Sequence, residues 1–132
     1  MKYYYLFLFL GFMACQNSNP NQAQPGEAPS NVLSPADFET QFKNTENAQL
    51  LDVRTRKEYD AGHIEDAYLI NFFGADFAAR LEKELDKEKP VFVYCKAGGR
   101  SAKASTKLQE LGFKEVYDLE GGYTAWTRHK AR

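Results

Sequence analysis

The stretch VFVYCKAGGRSAKAS, Val91 to Ser105, places a strand, a loop and the start of a helix next to one another. Val91 to Tyr94 is an unbroken run of β-branched and aromatic residues, which is typical of a strand buried on both faces. Cys95 follows the strand directly, and two glycines then precede a helical pattern that begins near Ser101. Ligands of open parallel sheets gather beyond the carboxyl ends of the strands, so Cys95 occupies the position of a functional residue.

The loop after Cys95 has the composition of an anion-binding cradle. Its glycines allow the backbone to curl until several N–H groups point inward, and the start of the next helix adds positive potential. An ordinary thiol has a pKa of about 8.5, and a shift of about two units, under about 3 kcal/mol, makes it mostly thiolate at neutral pH. The alternative is that Cys95 is a small core residue before a tight strand-to-helix turn. The loop residues are Lys96, Ala97, Gly98, Gly99 and Arg100.

The rest of the chain alternates short apolar runs with helical patterns. Strands are predicted at 48–53, 67–70, 91–94 and 113–119. Helices are predicted from Ser34 as N-cap with Pro35 at the first position, briefly before Gly62, over 75–85, over 101–111, and after the glycines at 121–122. This alternation predicts an α/β fold, with a central, mostly parallel sheet and helices on both faces, over residues 32–130.

Length and charge limit the classes of function. A chain of 132 residues is enough for one domain with its own core, and the net charge of -1 lacks the basic field of a nucleic-acid-binding protein. We therefore expect no nucleic-acid partner. The sequence does not predict the oligomeric state.

The first fifteen residues resemble a bacterial lipoprotein signal. Met1 and Lys2 are followed by an apolar run from Tyr3 to Ala14, which is too short to span a bilayer. The run ends at Cys15, the expected lipidation site, although Phe12 and Met13 depart from the usual lipobox. The resemblance implies a signal peptide over 1–14 and a lipid-anchored protein on the extracytoplasmic, periplasmic side of the bacterial envelope. The alternative is a buried N-terminal strand or helix.

Residues 15–31 are predicted to be a flexible linker. The segment is rich in Asn, Gln, Pro and Gly and has almost no large apolar side chain, so it cannot form a core. If Cys15 carries lipid, Cys95 has no disulfide partner in the chain. A lone thiol in an oxidising compartment is a liability unless it is buried or used.

Three motifs together resemble the single-domain rhodanese family of sulfurtransferases. They are LLDVRTRKEYDAGHIEDA (50–67), CKAGGRS (95–101) and LEGGYTAW (119–126), in the order that the family has them. One departure lies in the first motif, where Glu65-Asp66 replaces the usual Pro-Gly of a turn. The resemblance implies an enzyme that carries sulfane sulfur as a cysteine persulfide.

The resemblance assigns a role to each site residue. Cys95 would be the sulfur-accepting nucleophile, and Lys96, Ala97, Gly98 and Gly99 would form the cradle with Arg100. Arg100 would brace the loop by contacting Asp52. Arg54 and Glu58 would pair with each other. Ser101 would cap the following helix and hydrogen-bond into the loop.

The two histidines are assigned structural or surface positions. In this family the residue equivalent to His63 is mainly a structural hydrogen-bonding residue, although a triad with Cys95 and a carboxylate is the alternative. His129 is expected at the surface. The spacing of cysteines and histidines contains no metal site, and the resemblance implies no cofactor.

The implied reaction is a two-step exchange without a cofactor. Cys95 thiolate takes the outer sulfur of a small anionic donor such as thiosulfate, and a thiol or cyanide then removes it. A phosphatase or arsenate reductase is disfavoured because only four residues separate Cys95 from Arg100, one fewer than those enzymes have. A noncatalytic rhodanese-like binding module and an extracytoplasmic thiol redox protein remain as alternatives.

Overall fold

The computed structural model describes residues 31–132 of the chain. The predicted signal peptide, Cys15 and the linker up to residue 30 lie outside the described residues. Asn31, the last residue of the predicted linker, is the first residue of a strand. In the described part of the chain, no helix is both long and apolar enough to cross a membrane.

The fold is an α/β sandwich built on one five-stranded sheet. The strands are β1 (Asn31–Leu33), β2 (Gln49–Asp52), β3 (Tyr68–Leu69), β4 (Val91–Tyr94) and β5 (Val116–Leu119). The helices are α1 (Pro35–Asn44), α2 (Arg56–Asp60), α3 (Phe77–Glu84), α4 (Gly99–Glu110) and α5 (Gly122–Lys130). The strand order is β1-β5-β4-β2-β3, and every pairing is parallel, as the alternation of strands and helices predicts.

The two faces of the sheet carry separate cores because successive side chains of a strand point to opposite faces. In β4, Val91 and Val93 pack against α3 and α4, whereas Phe92 and Tyr94 pack toward α1 and α5. All four side chains of β4 are fully buried. The central strand, whose last residue Tyr94 directly precedes Cys95, is therefore covered on both sides.

Helix starts agree with the sequence at α1 and differ at α4. The Ser34 side chain caps α1 by accepting a hydrogen bond from the amide of Asp37 at 3.2 Å, and Pro35 is the first helical residue. Helix α4 begins at Gly99, two residues before the predicted start, with Gly98 as its N-cap at φ 110°. The prediction that Ser101 caps this helix is therefore wrong, because Ser101 lies inside the first turn.

Strand β1 was not predicted from the sequence. It has only three residues, it lies at the sheet edge beside β5, and its Val32 is 57% exposed. The alternation of buried and exposed side chains that reveals longer strands cannot develop over so short a segment.

Candidate active site

The thiol of Cys95 lies at the carboxyl end of β4, beneath a loop of backbone amides. The residue is 1% exposed, and the amide of Gly98 donates to its Sγ at 3.0 Å. Ser101 Oγ lies 3.5 Å from the same Sγ. Gly98 takes up a left-handed conformation here, which lets the chain turn sharply enough for its N–H to face the sulfur.

Hydrogen bonds shift Cys95 toward the thiolate form. Burial alone raises the pKa of the thiol, but hydrogen bonds from the Ser101 hydroxyl and from the amides of Ser101, Gly98 and Ala97 outweigh burial. The pKa of Cys95 therefore lies below its ordinary value. The cradle predicted from the sequence is thus present, and it is built mainly from main-chain donors.

The amides point inward because neighbouring groups hold the loop carbonyls outward. The first turn of α5 supplies the amides of Tyr123 and Thr124, which donate to the carbonyls of Cys95 at 2.8 Å and Lys96 at 3.0 Å. Gly122 makes this close approach possible, since a Cβ at its position would lie 2.5 Å from the Cys95 carbonyl oxygen. The glycine pair belongs to the third motif, but the sequence contains no local signal that it supports the loop.

Arg100 pairs with Glu58 and not with Asp52, which corrects the predicted partner. Its two terminal nitrogens donate to the two carboxylate oxygens at 2.8 Å each, in a fork-to-fork pair between α4 and α2. The pKa of Glu58 is lowered to about 2, mainly by this bond to Arg100 and further by hydrogen bonds from Thr55, against a smaller opposing effect of burial. Arg100 therefore fixes the loop to the first motif.

Arg54 pairs with Asp52 and not with Glu58, so the second predicted pairing is also wrong. Arg54 Nε lies 3.0 Å from both Asp52 oxygens, and the pair is almost completely buried. The Arg54 guanidinium also donates to the Gly62 carbonyl at 2.8 Å and lies 4.3 Å from the centre of the Tyr123 ring. This pair joins the first motif to the third, beneath the loop. Sequence spacing gave no signal that would distinguish the two exchanged pairings.

The turn in which Glu65-Asp66 replaces Pro-Gly is nevertheless formed. Asp66 has φ 66°, a left-handed conformation that aspartate tolerates better than most residues. The amide of Ala67 donates to the Ile64 carbonyl at 3.0 Å and closes the turn. A closed turn therefore forms here without the Pro-Gly of the family pattern.

His63 lies outside the cradle. Its Nδ1 is 2.9 Å from the Tyr59 carbonyl oxygen, and its ring stacks on the Tyr59 ring with centroids 3.7 Å apart. The groups hydrogen-bonded to Cys95 Sγ belong to the loop and to the first turn of α4. The geometry gives His63 a local structural contact and no contact with the thiol that a triad would need.

An open cavity of about 270 Å³ adjoins the loop at Lys96 and is bounded by Arg54, Glu58 and Tyr123. Phe73, in the turn after β3, is 66% exposed and lies with its ring centre 5.6 Å from the Arg100 guanidinium. Two larger clefts lie elsewhere, beside α1 and α5. Within residues 31–132, no three His, Cys, Asp or Glu side chains are grouped closely enough to hold a metal ion.

A parallel sheet that presents a cysteine in a six-residue amide loop, braced by an arginine, defines the class of rhodanese-like domains. Residues 34–129 match the family model "Rhodanese-like domain". The chain belongs to this family.

Known proteins with similar sequence or structure support the same assignment. Thiosulfate sulfurtransferase GlpE of Coxiella burnetii is 40% identical over 83 residues, which are 61% of this chain and 72% of that protein. A tRNA uridine(34) hydroxylase of Chlamydia trachomatis is 41% identical over 99 residues, 71% of this chain but only 30% of that protein. The crystal structure of a rhodanese-like domain protein from Staphylococcus aureus superposes with a TM-score of 0.64 at 27% identity, covering 73% of this chain and 90% of that one.

Proposed function

We propose that the chain is a sulfurtransferase that carries a sulfane sulfur as a persulfide on Cys95. The observation that carries the proposal is the Cys95 sulfur itself, buried beneath an amide donor at 3.0 Å and shifted toward the thiolate. A sulfurtransferase relative with 40% identity supports the same chemistry.

The first step moves sulfur from a small anionic donor such as thiosulfate. Cys95 thiolate attacks the outer sulfur, a new S–S bond forms, and the old S–S bond breaks with its electron pair leaving on sulfite. The persulfide then carries the negative charge, which the inward amides stabilise as they stabilise the thiolate. The second step is attack on the outer sulfur by a thiolate or by cyanide, which restores Cys95.

The charged residues around the loop suit an anionic donor. Arg100 and the exposed Lys96 give the mouth positive charge, while Glu58 keeps Arg100 in place. The family resemblance and the geometry require no cofactor for this exchange.

Intact mass measurement after exposure to thiosulfate tests the proposal. The protein should gain one sulfur atom, cyanide should release that atom as thiocyanate, and Cys95→Ser should gain none. No gain in a protein whose circular dichroism shows it folded would overturn thiosulfate transfer. That result would favour a noncatalytic binding module or a redox protein.

A lipid anchor at Cys15 is the second part of the proposal. It is supported by the apolar run Tyr3–Ala14 directly before the cysteine and would place the domain on the extracytoplasmic side of the bacterial envelope. Expression in a bacterial host with labelled palmitate should label the protein and leave Cys15→Ser unlabelled. Equal labelling of both proteins, or of neither, would contradict the anchor.

A further inference from the structure

An exposed aromatic ring stands beside the loop that holds Cys95. Phe73 is 66% exposed, more than any other large hydrophobic side chain among residues 31–132. Its ring centre lies 5.6 Å from the guanidinium of Arg100, the last residue of the loop. Single exposed apolar side chains are common, so exposure alone assigns no role. The position of this one does.

Backbone hydrogen bonds place Phe73 at the same edge of the sheet as the thiol. The amide of Val53 donates to the Tyr94 carbonyl at 3.0 Å, and the amide of Phe72 donates to the Val53 carbonyl at 3.0 Å. The segments that leave β4, β2 and β3 therefore run side by side beyond the carboxyl ends of these strands. Since neighbouring strands lie about 4.8 Å apart, the backbone next to Phe73 passes about 10 Å from the backbone of Cys95.

The turn that carries Phe73 is fixed on both sides of the ring. The side-chain oxygen of Asn71 accepts from the Phe73 amide at 3.1 Å, and the Asn71 carbonyl accepts from the Gly74 amide at 3.0 Å. The preceding ring, Phe72, packs edge-on against Phe77 with centroids 5.3 Å apart. A ring held in this way is preorganised, so it loses little conformational freedom when a ligand covers it.

An apolar ring at this place suits the acceptor of sulfur and not the donor. Thiosulfate is a small polar anion and gains nothing from an apolar surface, whereas Lys96 and Arg100 already supply charge for it. An acceptor thiol carries carbon groups next to its sulfur. Burial of such a group against Phe73 removes apolar surface from water and favours binding.

The depth of the thiol limits the size of that acceptor. Cys95 is 1% exposed, so the acceptor sulfur has to enter the loop while the rest of the molecule stays at the surface. A group that contacts Phe73 at the same time must lie several ångströms from the sulfur. Side chains of adjacent residues in a polypeptide have this separation, because consecutive Cα atoms are about 3.8 Å apart. A compact thiol such as mercaptoethanol is too short.

We propose that the sulfur acceptor is a cysteine in a polypeptide with a large apolar side chain next to it, and that Phe73 binds this side chain. The inference rests on the proposed function and names the class of its acceptor. The acceptor thiolate attacks the outer sulfur of the Cys95 persulfide and a new S–S bond forms. The S–S bond to Cys95 breaks, its electron pair stays on Cys95 as the thiolate, and the acceptor leaves as a persulfide.

Alkylation of Cys95 by two matched reagents tests the contact without any sulfur donor. Every full-length protein carries Cys15→Ser, so that Cys95 is the only thiol, and the reagents are iodoacetyl-leucine amide and iodoacetyl-glycine amide. The ratio of their rates, divided by the ratio for free cysteine, should be about five with Phe73 and about one in Phe73→Ala. Phe73→Leu keeps an apolar side chain and should retain more than half of the preference.

Val32→Ala is the matched control for the loss of an exposed apolar side chain. Val32 is 57% exposed and lies on β1, two strands from β4 on the opposite side of the sheet. Its variant should keep the fivefold ratio. Equal ratios in Phe73 and Phe73→Ala, or a ratio of about one in both, would overturn the proposal.

Sulfur transfer to peptides then tests the role in the reaction. Proteins loaded from thiosulfate are mixed with acetyl-Leu-Cys-Gly-amide or acetyl-Gly-Cys-Gly-amide, and the loss of the added sulfur is followed by intact mass. The leucine peptide should react about fivefold faster, and Phe73→Ala should remove the difference. Equal rates for the two peptides would overturn the acceptor assignment. Failure of every protein to load would contradict the proposed sulfurtransferase function, and the alkylation ratios would still decide whether Phe73 makes the contact.

Discussion

Two arginine–carboxylate pairs flank the same loop and differ in burial. Asp52–Arg54 lies beneath the loop with side chains 0% and 3% exposed, whereas Glu58–Arg100 lies at the mouth with 26% and 20% exposed. The buried pair also contacts the Gly62 carbonyl and the Tyr123 ring, so it joins segments that are distant in sequence. The outer pair joins the loop to α2, and its arginine also lies near the exposed ring of Phe73.

The difference separates a pair that holds the fold from one that holds the loop. Removing one partner of a buried pair leaves an uncompensated charge, while an outer pair is screened by water and contributes less. Asp118 supplies the third case, a buried carboxyl group with no arginine. Substitutions at the three places should therefore differ in size and in pH dependence.

Breaking the buried pair should have the largest effect on stability. Arg54→Met removes the guanidinium and leaves the Asp52 carboxylate buried and unpaired, which should cost about 3–5 kcal/mol of unfolding free energy. Urea unfolding at pH 7 measures it. The double variant Asp52→Leu/Arg54→Met removes both charges and should recover at least half of the loss. A single variant that loses less than about 1 kcal/mol would show that the pair does not hold the fold.

Asp118, the carboxyl group without an arginine, should make the protein less stable as pH rises. A carboxylate paired with an arginine has the opposite effect. The folded pKa of Asp118, about 6, lies above the ordinary value of 3.8, so the folded state keeps a proton that the unfolded chain has lost. Stability therefore falls as pH rises through this range, and the loss is complete above about pH 6.

Asp118→Asn removes that titration. Between pH 4 and pH 8, the unfolding free energy of the variant relative to the aspartate protein should rise by about 2–3 kcal/mol. Urea unfolding at both pH values measures the change. Asp76→Asn, which removes an exposed carboxyl group, is the matched control and should show a smaller change. A difference for Asp118→Asn that does not vary with pH would show that folding leaves the proton affinity of its carboxyl group unchanged.

Apart from the short edge strand β1, the elements were predictable from the sequence, but the side-chain pairings between them were not. The apolar run Val91–Tyr94 and the following glycines predict a buried strand and a loop, and the structure contains both. Whether Arg100 reaches Asp52 or Glu58 depends on where α2 lies, which a single sequence does not encode locally. Two carboxylates of the same motif, six positions apart, satisfy the pattern equally well before the chain folds.

The burial of Asp118 was also not predictable from the sequence. One acidic residue in a strand pattern gives no sign of its face or its neighbours, and in the sequence it resembles an exposed residue. Its position between the sheet and α4 follows only from the register with Val93 and the start of α4 at Gly99. The same holds for Gly122, because only the contact between α5 and the loop shows that a side chain at this position would collide with the backbone.

Breaking the outer pair should change the unfolding free energy by less than either substitution in the interior. The folded pKa of Glu58, about 2, lies below the ordinary value of 4.5, so its contribution is present above about pH 4.5 and is lost as pH falls toward 2. Because the pair is partly exposed, Glu58→Gln should lose only about 1–2 kcal/mol at pH 7 and less at pH 3.

The same variant should slow sulfur loading more than its stability suggests, because Arg100 loses its anchor. Loading from thiosulfate is measured by intact mass against time. Glu84→Gln is the matched control, since Glu84 forms a similar pair with Arg80 at the far end of α3. Loading should be slower in Glu58→Gln and unchanged in Glu84→Gln. Equal rates in both would show that the Arg100 pair has no part in the loop's function.

The smallest effect should come from Phe73, the second group that contacts Arg100. Its ring centre lies 5.6 Å from the guanidinium, but the ring is 66% exposed, and a contact of this kind contributes about 0.5 kcal/mol at an exposed site. Phe73→Ala should therefore change the unfolding free energy by no more than that amount, measured by urea unfolding at pH 7. Combined with Glu58→Gln, its effect should grow, because the ring is then the remaining group holding the guanidinium. A loss from Phe73→Ala alone that equals the loss from Glu58→Gln would mean that the ring, and not the carboxylate, holds Arg100 at the mouth.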